Sequence, residues 1–99
     1  MRRVIMPGVR VVEGFAFYRC KALAIVECGK LERIGCWAFA GCESLGGINL
    51  PSARIVGRCA FVSCTDLTNV NFGKELESIE GLAFFRCTSL ERITIPLKD

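Results

Sequence analysis

The chain has 99 residues, of which 52% are apolar and 23% are charged, and it contains no histidine. This length allows one domain, and the apolar fraction is high enough to bury a core, which excludes a disordered chain. The net charge of +3 is small and charges of both signs are interspersed, which excludes a polyanion-binding tail. No apolar stretch after the basic start is long enough for a signal peptide or a membrane helix, so we expect no membrane insertion.

One phrase recurs along the chain at steps of 22, 22 and 23 residues. Each copy contains Ala-Phe, then a cysteine three residues after the phenylalanine, then a leucine three residues later. The phenylalanines are Phe17, Phe39, Phe61 and Phe84. The cysteines are Cys20, Cys42, Cys64 and Cys87, and the leucines are Leu23, Leu45, Leu67 and Leu90. A period of this length is typical of a solenoid, in which each coil buries an apolar stripe against its neighbours.

Within a coil, three segments follow one another. The leucine opens a segment of alternating apolar residues, as in Leu45, Ile48 and Leu50, which predicts one short parallel strand per coil. Pro or Gly ends that strand, and a second apolar pair, Val9 and Val12 in the first coil, predicts either a second short strand or irregular chain. The near-helical spacing of Ala-Phe-x-x-Cys-x-x-Leu then predicts a helical or 3₁₀ turn.

Stacking of these coils places equivalent residues at roughly 4.8 Å spacing. The four phenylalanines are therefore expected to form a buried spine, with each ring contributing about 1.5–3 kcal/mol. We expect one domain over residues 1–99, with coils at about 4–24, 25–47, 48–69 and 70–92 and a terminal strand at 93–96. The apolar segments 4–6 and 93–95 have no polar cap, so the chain is expected either to be part of a longer array or to self-associate end to end.

The stretch from Ala83 to Pro96, AFFRCTSLERITIP, resembles the repeat of the BspA-like, or Treponema-type, leucine-rich-repeat family. The family repeat reads Leu-x-x-Ile-x-Ile-Pro-x-x-Val-x-x-Ile-Gly-x-x-Ala-Phe-x-x-Cys, and the resemblance runs from Val4 to Pro96. A parallel β-helix is the alternative solenoid, but the fixed Cys-x-x-Leu-x-x-Ile phrase favours the leucine-rich repeat. The resemblance implies an α/β solenoid of about four coils with a short parallel sheet. The family contains bacterial surface adhesins and many proteins without an assigned role.

The cysteine column permits three interpretations, namely buried thiols, disulfides, or a metal or redox ladder. Free cysteine is among the most buried residue types, and parallel stacking would hold the Cβ atoms near 4.8 Å, beyond the ~3.5–4.5 Å of a disulfide. We therefore expect structural thiols that donate to backbone carbonyls, and no metal or cofactor. Cys28 is expected in the core, whereas Cys36 and Cys59 are expected to be partly exposed. Exposed thiols favour a cytoplasmic location, and the adhesin resemblance favours the cell surface.

The outward positions of the strands are the candidate binding surface, because in leucine-rich repeats the parallel strands line the concave face. They are Ile25, Glu27, Asn49, Asn69, Asn71, Arg92 and Thr94. The set is polar and lacks an aromatic cluster, and Tyr18 and Trp37 are expected to pack beside the phenylalanine column. We expect a protein-interaction module with a protein partner. The alternative is a structural spacer or adhesin segment of a larger surface protein.

Two other classes of function are not expected. Arg10, Arg33 and Arg54 fall near the second apolar pairs, but Glu32 and Glu77 interrupt the row and no aromatic platform is interleaved, so nucleic-acid binding is not expected. The sequence has no histidine, no Gly-rich phosphate loop and no Gly-x-Ser-x-Gly, so no enzyme is expected. A thiol-based metal or redox protein is the remaining alternative.

Overall fold

The computed structural model describes residues 2–97, which wind into successive coils, each with two short strands joined by turns. The strands are β1 (Arg3–Ile5), β2 (Val11–Val12), β3 (Ile25–Glu27), β4 (Arg33–Ile34), β5 (Gly47–Leu50), β6 (Ile55–Val56), β7 (Asn69–Phe72), β8 (Ser78–Ile79) and β9 (Arg92–Thr94). The odd-numbered strands come from the Leu-x-x-Ile-x-Ile segments. The even-numbered strands come from the second apolar pairs, so the structure selects the strand over the irregular chain there.

All strand pairs are parallel and join equivalent residues of successive coils. The even-numbered strands form one sheet in the order β2-β4-β6-β8, while the odd-numbered strands form two sheets, β1-β3 and β5-β7-β9. Val4 pairs with Val26, and Ile48 pairs with Val70. Each of these pairs is one repeat apart, so the sequence period sets the register. The predicted solenoid of about four coils with parallel sheets is confirmed.

The predicted helical or 3₁₀ turn is wrong, because residues 2–97 contain no helix, and therefore none that could cross a membrane. The Ala-Phe-x-x-Cys segment is a series of β-turns. Successive amides donate alternately to a carbonyl of their own coil and to a carbonyl of the next coil. In the first coil, the Tyr18 N–H donates to the Phe15 carbonyl, whereas the Phe17 N–H donates to Ala38 in the next coil. A helix would need both bonds within one coil. Left-handed backbone at Phe15 (φ 61°) and Arg19 (φ 57°) also breaks any helical path.

The phenylalanine spine is the centre of the core. Successive rings are stacked with centroids 5.2, 5.2 and 5.3 Å apart and planes within 9° of parallel. Phe39 and Phe61 are fully buried, and the outer two rings, Phe17 and Phe84, are half-buried at the ends of the stack. Beside the spine lie the inward strand residues and the leucine column. In that column Leu23, Leu45 and Leu67 are fully buried, and Leu90 in the last coil is half-buried.

The extra residue of the last coil is accommodated in the turn between β7 and β8, as the sequence predicts. Gly73 begins that turn and passes directly against the backbone of the preceding coil. A Cβ at this position would overlap the carbonyl oxygen of Pro51. Gly29 occupies the equivalent position two coils earlier and has open space around it. The two glycines therefore share a sequence position but only Gly73 is required by a close backbone approach.

Candidate binding surfaces

The outward sides of β3, β5, β7 and β9 form a surface that is called the strand face. It carries the predicted candidate residues. The register aligns Gly47, Asn69 and Arg92 in one row across β5, β7 and β9, and Asn49, Asn71 and Thr94 in a second row. Asn69 and Asn71 are half-buried; the other predicted candidates are exposed, namely Ile25, Glu27, Asn49, Arg92 and Thr94. All seven thus face outward, as a period-2 strand requires when the alternate residues fill the core.

Hydrogen bonds fix the asparagine amides in this face. The Asn71 Nδ2 donates to Asn49 Oδ1 at 2.7 Å. The Thr68 hydroxyl lies 2.9 Å from the Gly46 carbonyl oxygen and 3.1 Å from Asn69 Oδ1. These contacts restrict the conformations of the asparagine side chains.

A seam divides the strand face between β3 and β5. These strands are adjacent in the stack but belong to different sheets. A hollow of about 350 Å³ lies there, bordered by Ile25 and Glu27 on one side and by Asn49 and Asn69 on the other. A second hollow, of about 230 Å³, is lined by Thr68, Asn69, Asn71, Glu91 and Arg92. The structure therefore brings the asparagines and Arg92 together and sets Ile25 and Glu27 across the seam, with Asn69 bordering both hollows.

The arginines near the even-numbered strands do not form a basic row. Arg10 pairs with Glu32 of the next coil, and Arg54 pairs with Glu77 at 2.7 Å. Arginine and glutamate thus alternate from coil to coil at this edge. The alternation neutralises the surface on which a polyanion would need contiguous positive charge.

Three of the four thiols in the cysteine column donate to backbone carbonyls. Cys42, Cys64 and Cys87 each reach the carbonyl oxygen of the spine phenylalanine in the preceding coil, with Sγ–O distances of 3.3, 3.1 and 3.0 Å. All seven cysteines of the chain are free. Cys28 is buried and Cys36 is exposed, as predicted, but the expectation for Cys59 is wrong. Cys59 is buried because its side chain packs in a small cluster with Ala40 and Val62.

Burial favours the protonated form of Cys28, Cys42 and Cys64, whereas the hydrogen bond with Cys64 lowers the pKa of Cys87. Burial raises the pKa of Cys28 to about 11 and, together with the Cys20 thiol, that of Cys42 to about 11. Contact with the Cys87 thiol and burial raise the pKa of Cys64. A thiol is a metal ligand or nucleophile only as the thiolate. Among residues 2–97, no group of three or more acidic, cysteine or histidine side chains is placed to hold a metal ion.

A family model of the BspA-type leucine-rich-repeat region matches residues 2–98 in six copies. The chain belongs to the BspA-type leucine-rich-repeat family. A crystal structure of a leucine-rich repeat protein from Bacteroides ovatus is similar to this BspA-type chain, with a TM-score of 0.88 and 35% sequence identity. The similarity covers 94% of this chain and 24% of the Bacteroides chain, so this chain spans about a quarter of its length. No curated protein matches the chain.

The turns of this BspA-type chain carry an aromatic cluster that the sequence analysis did not predict. Phe15, Tyr18 and Trp37 lie in mutual contact, with ring centroids 5.3 to 6.3 Å apart. Phe15 and Tyr18 are exposed and Trp37 is half-buried, so the expectation that Tyr18 packs away beside the spine is wrong. The spacing in the sequence does indicate this cluster, because Phe15 and Trp37 are one repeat apart and Tyr18 follows Phe15 by three residues.

Proposed function

We propose that this BspA-type chain is a protein-binding module without chemistry of its own, and that its partner contacts the strand face around Asn49, Asn69 and Asn71. The observation that carries this proposal is the Asn71–Asn49 hydrogen bond at 2.7 Å on an outward surface. Such a bond adds nothing to the core, yet it holds two amides in fixed positions with donors and acceptors left for a partner. Ordered amides beside hollows suit a partner's loop or side chains better than a flat solvated face does.

The family supports the same class of function. BspA-type repeats commonly serve binding or structural roles, and the chain contains no histidine. A rigid stack of parallel strands keeps its outward residues in place without any conformational change. The binding surface is accordingly expected to act as a preformed site.

Site-specific photo-crosslinking tests this assignment. A benzophenone amino acid is placed at Asn71 on the strand face or, as the matched control, at Ser78 on β8 in the other sheet. Incubation with the total protein of the source cells is expected to give discrete adducts from position 71 and none of the same adducts from position 78. For a purified adduct partner, Asn49→Ala and Asn71→Ala should each weaken binding about tenfold, which corresponds to about 1.4 kcal/mol. Equal adducts from both positions, or unchanged affinity, would contradict the proposal.

A second candidate is a spacer segment within a longer array, and the apolar columns at the two ends of the stack favour it. Phe17 and Phe84 are half-buried where the inner rings are fully buried, and Ile93 on the last strand is 38% exposed. Further coils, or a second copy stacked end to end, would cover these positions. Light scattering across a concentration series in reducing buffer is expected to show oligomers that Ile93→Glu abolishes. A stable monomer at high concentration would contradict end-to-end stacking.

A further inference from the structure

A second surface runs along the turns, and it is independent of the strand face. Two columns of residues flank the spine there, and together they are called the turn strip. The turn strip consists of Phe15, Trp37, Cys59 and Leu82 in one column and Tyr18, Ala40, Val62 and Phe85 in the other. Four of these large side chains are strongly exposed, with values of 55% for Phe15, 41% for Tyr18, 52% for Leu82 and 48% for Phe85. The exposed members lie in the first and last coils of the strip, because Ala40, Cys59 and Val62 between them are buried.

The turn strip contains one well-defined notch, at the second coil. Ala40 and Gly41 stand where the first coil has Tyr18 and Arg19, so two large side chains are followed by two small ones. The result is a cavity of about 350 Å³ lined by Tyr18, Arg19, Lys21, Trp37, Ala40, Gly41, Glu43, Val62 and Ser63. Its floor is Ala40 and Val62, which are buried in the small cluster beneath Trp37. The cavity therefore has an apolar floor, aromatic walls and a charged rim.

The aromatic residues at the notch pack against one another. The rings of Phe15 and Trp37 are stacked with centroids 6.0 Å apart and planes within 4° of parallel, and Tyr18 meets both edge-on. The Arg19 guanidinium lies 5.4 Å from the Tyr18 ring centroid. Aromatic anchors that are ordered before binding, with an arginine beside them, are the composition typical of interaction hot spots.

The backbone is left-handed at the column of the turn strip that holds Phe15 and Trp37. Phe15 and Trp37 have φ values of 61° and 60°, in the left-handed region. A bulky residue in that region costs about 1–2 kcal/mol relative to its usual conformation, and glycine pays no such cost. The fold dictates the dihedral angle but not the side chain, so stability alone would favour glycine or asparagine at both positions. Cys59 and Leu82 share this conformation at the equivalent positions, so the strain comes from the coil and is not specific to the notch.

The charges around the notch specify the partner. Arg19 and Lys21 stand on its first-coil wall and Glu43 is the single acidic residue in the lining, so the rim carries a net positive charge. We infer that the notch binds a linear segment of another protein that inserts one aromatic or leucine side chain between Tyr18 and Val62 and places an adjacent carboxylate against Arg19 and Lys21. Apolar contacts hold the inserted side chain. The Arg19 guanidinium and the Lys21 ammonium group favour a segment with a carboxylate next to that side chain.

Selection from a random twelve-residue peptide library displayed on phage, with the full chain as bait, tests the inference directly. The enriched peptides are expected to share one aromatic residue or leucine flanked by Asp or Glu. A synthetic peptide of the enriched sequence, titrated calorimetrically, should bind more weakly as salt rises, because its carboxylates meet partly exposed cations. Enrichment of basic peptides, or of none above background, would overturn the inference.

Matched variants locate the binding to the notch. Tyr18→Ala and Arg19→Glu should each weaken binding of the synthetic peptide at least tenfold. Phe85→Ala, in the same column at the far end, and Arg33→Glu, with the same change of net charge on β4, should change it less than threefold. Near-identical thermal melting of all four variants shows that the fold is intact. Equal losses from Phe85→Ala would assign binding to the whole apolar strip, and self-association lost on Tyr18→Ala would assign the notch to a second copy of the chain; either result overturns the inference.

Discussion

Removal of one inner ring of the phenylalanine spine should remove much of the stability of the whole stack. Phe61 is fully buried, and its ring lies 5.2 Å from Phe39 and 5.3 Å from Phe84, so both faces lose a partner in Phe61→Ala. Truncation of a buried phenylalanine costs about 3–5 kcal/mol, and each lost ring pair adds about 0.5–1.5 kcal/mol. A chain of this length has a total free energy of unfolding of about 5–15 kcal/mol, so the variant is expected to be close to unfolding.

Urea denaturation followed by far-ultraviolet circular dichroism, in reducing buffer, measures this loss. Phe85→Ala is the matched control, because it removes the same side chain from the next residue after the spine position in the last coil, where the ring is 48% exposed. The control is expected to lose about 0.5 kcal/mol, as is usual for a surface position. Phe61→Leu, which keeps more volume but loses both ring stacks, should fall between the two. If Phe61→Ala and Phe85→Ala lose equal stability, the stacked spine is not the core of this fold.

Three further predictions concern the glycines and the thiols. Gly73→Ala should lose about 1–3 kcal/mol because its Cβ would overlap the preceding coil, while Gly29→Ala at the equivalent position should lose none; equal urea midpoints would contradict this. In the native state one thiol, Cys36, should react rapidly with Ellman's reagent, and all seven should react in denaturant; four or fewer in denaturant would disprove the free-thiol column. The pKa values of Cys28 and Cys42 are raised from 9.0 to about 11, so the folded state favours the protonated forms. The contribution of these two thiols to stability should therefore be constant below pH 9 and be lost between pH 9 and 11, and a rise in stability in that window would refute the assignment.

The inward half of the structure was predictable because stacking imposes one residue type on each column. Phe39 and Phe61 recur at the repeat period because the ring of each coil packs on the ring of the next, and a different side chain would leave a gap. The register of β5 and β7 follows from the same period. These features require only that equivalent residues stack, and the sequence shows that requirement directly.

The turns were not predictable because their backbone conformation leaves no mark in the sequence. Left-handed residues are usually recognised as glycine or asparagine, but here the positions hold Phe15, Arg19 and Trp37. The spacing of the apolar residues alone is compatible with a helix, so the pattern predicts one. The competing factor is the bonding between coils, through which alternate amides are satisfied by the neighbouring coil, as in the 2.7 Å bond from the Phe17 N–H to Ala38. A short stretch of sequence does not show that its amides donate hydrogen bonds to residues one repeat away.

The same contrast indicates where function is to be sought in a stacked array. Columns that hold the same residue type in every coil are explained by packing between coils. Their repetition along the chain therefore gives no information about a partner. Columns in which the residue type changes abruptly are free of that constraint, so a specific side chain there must have another cause. The change from Tyr18 to Ala40 opens the notch, and the adjacent asparagines at positions 49 and 71 form the bond at the strand face. The notch thus arises where the residue type changes from one coil to the next, whereas the strand-face bond joins two equivalent positions that hold the same residue.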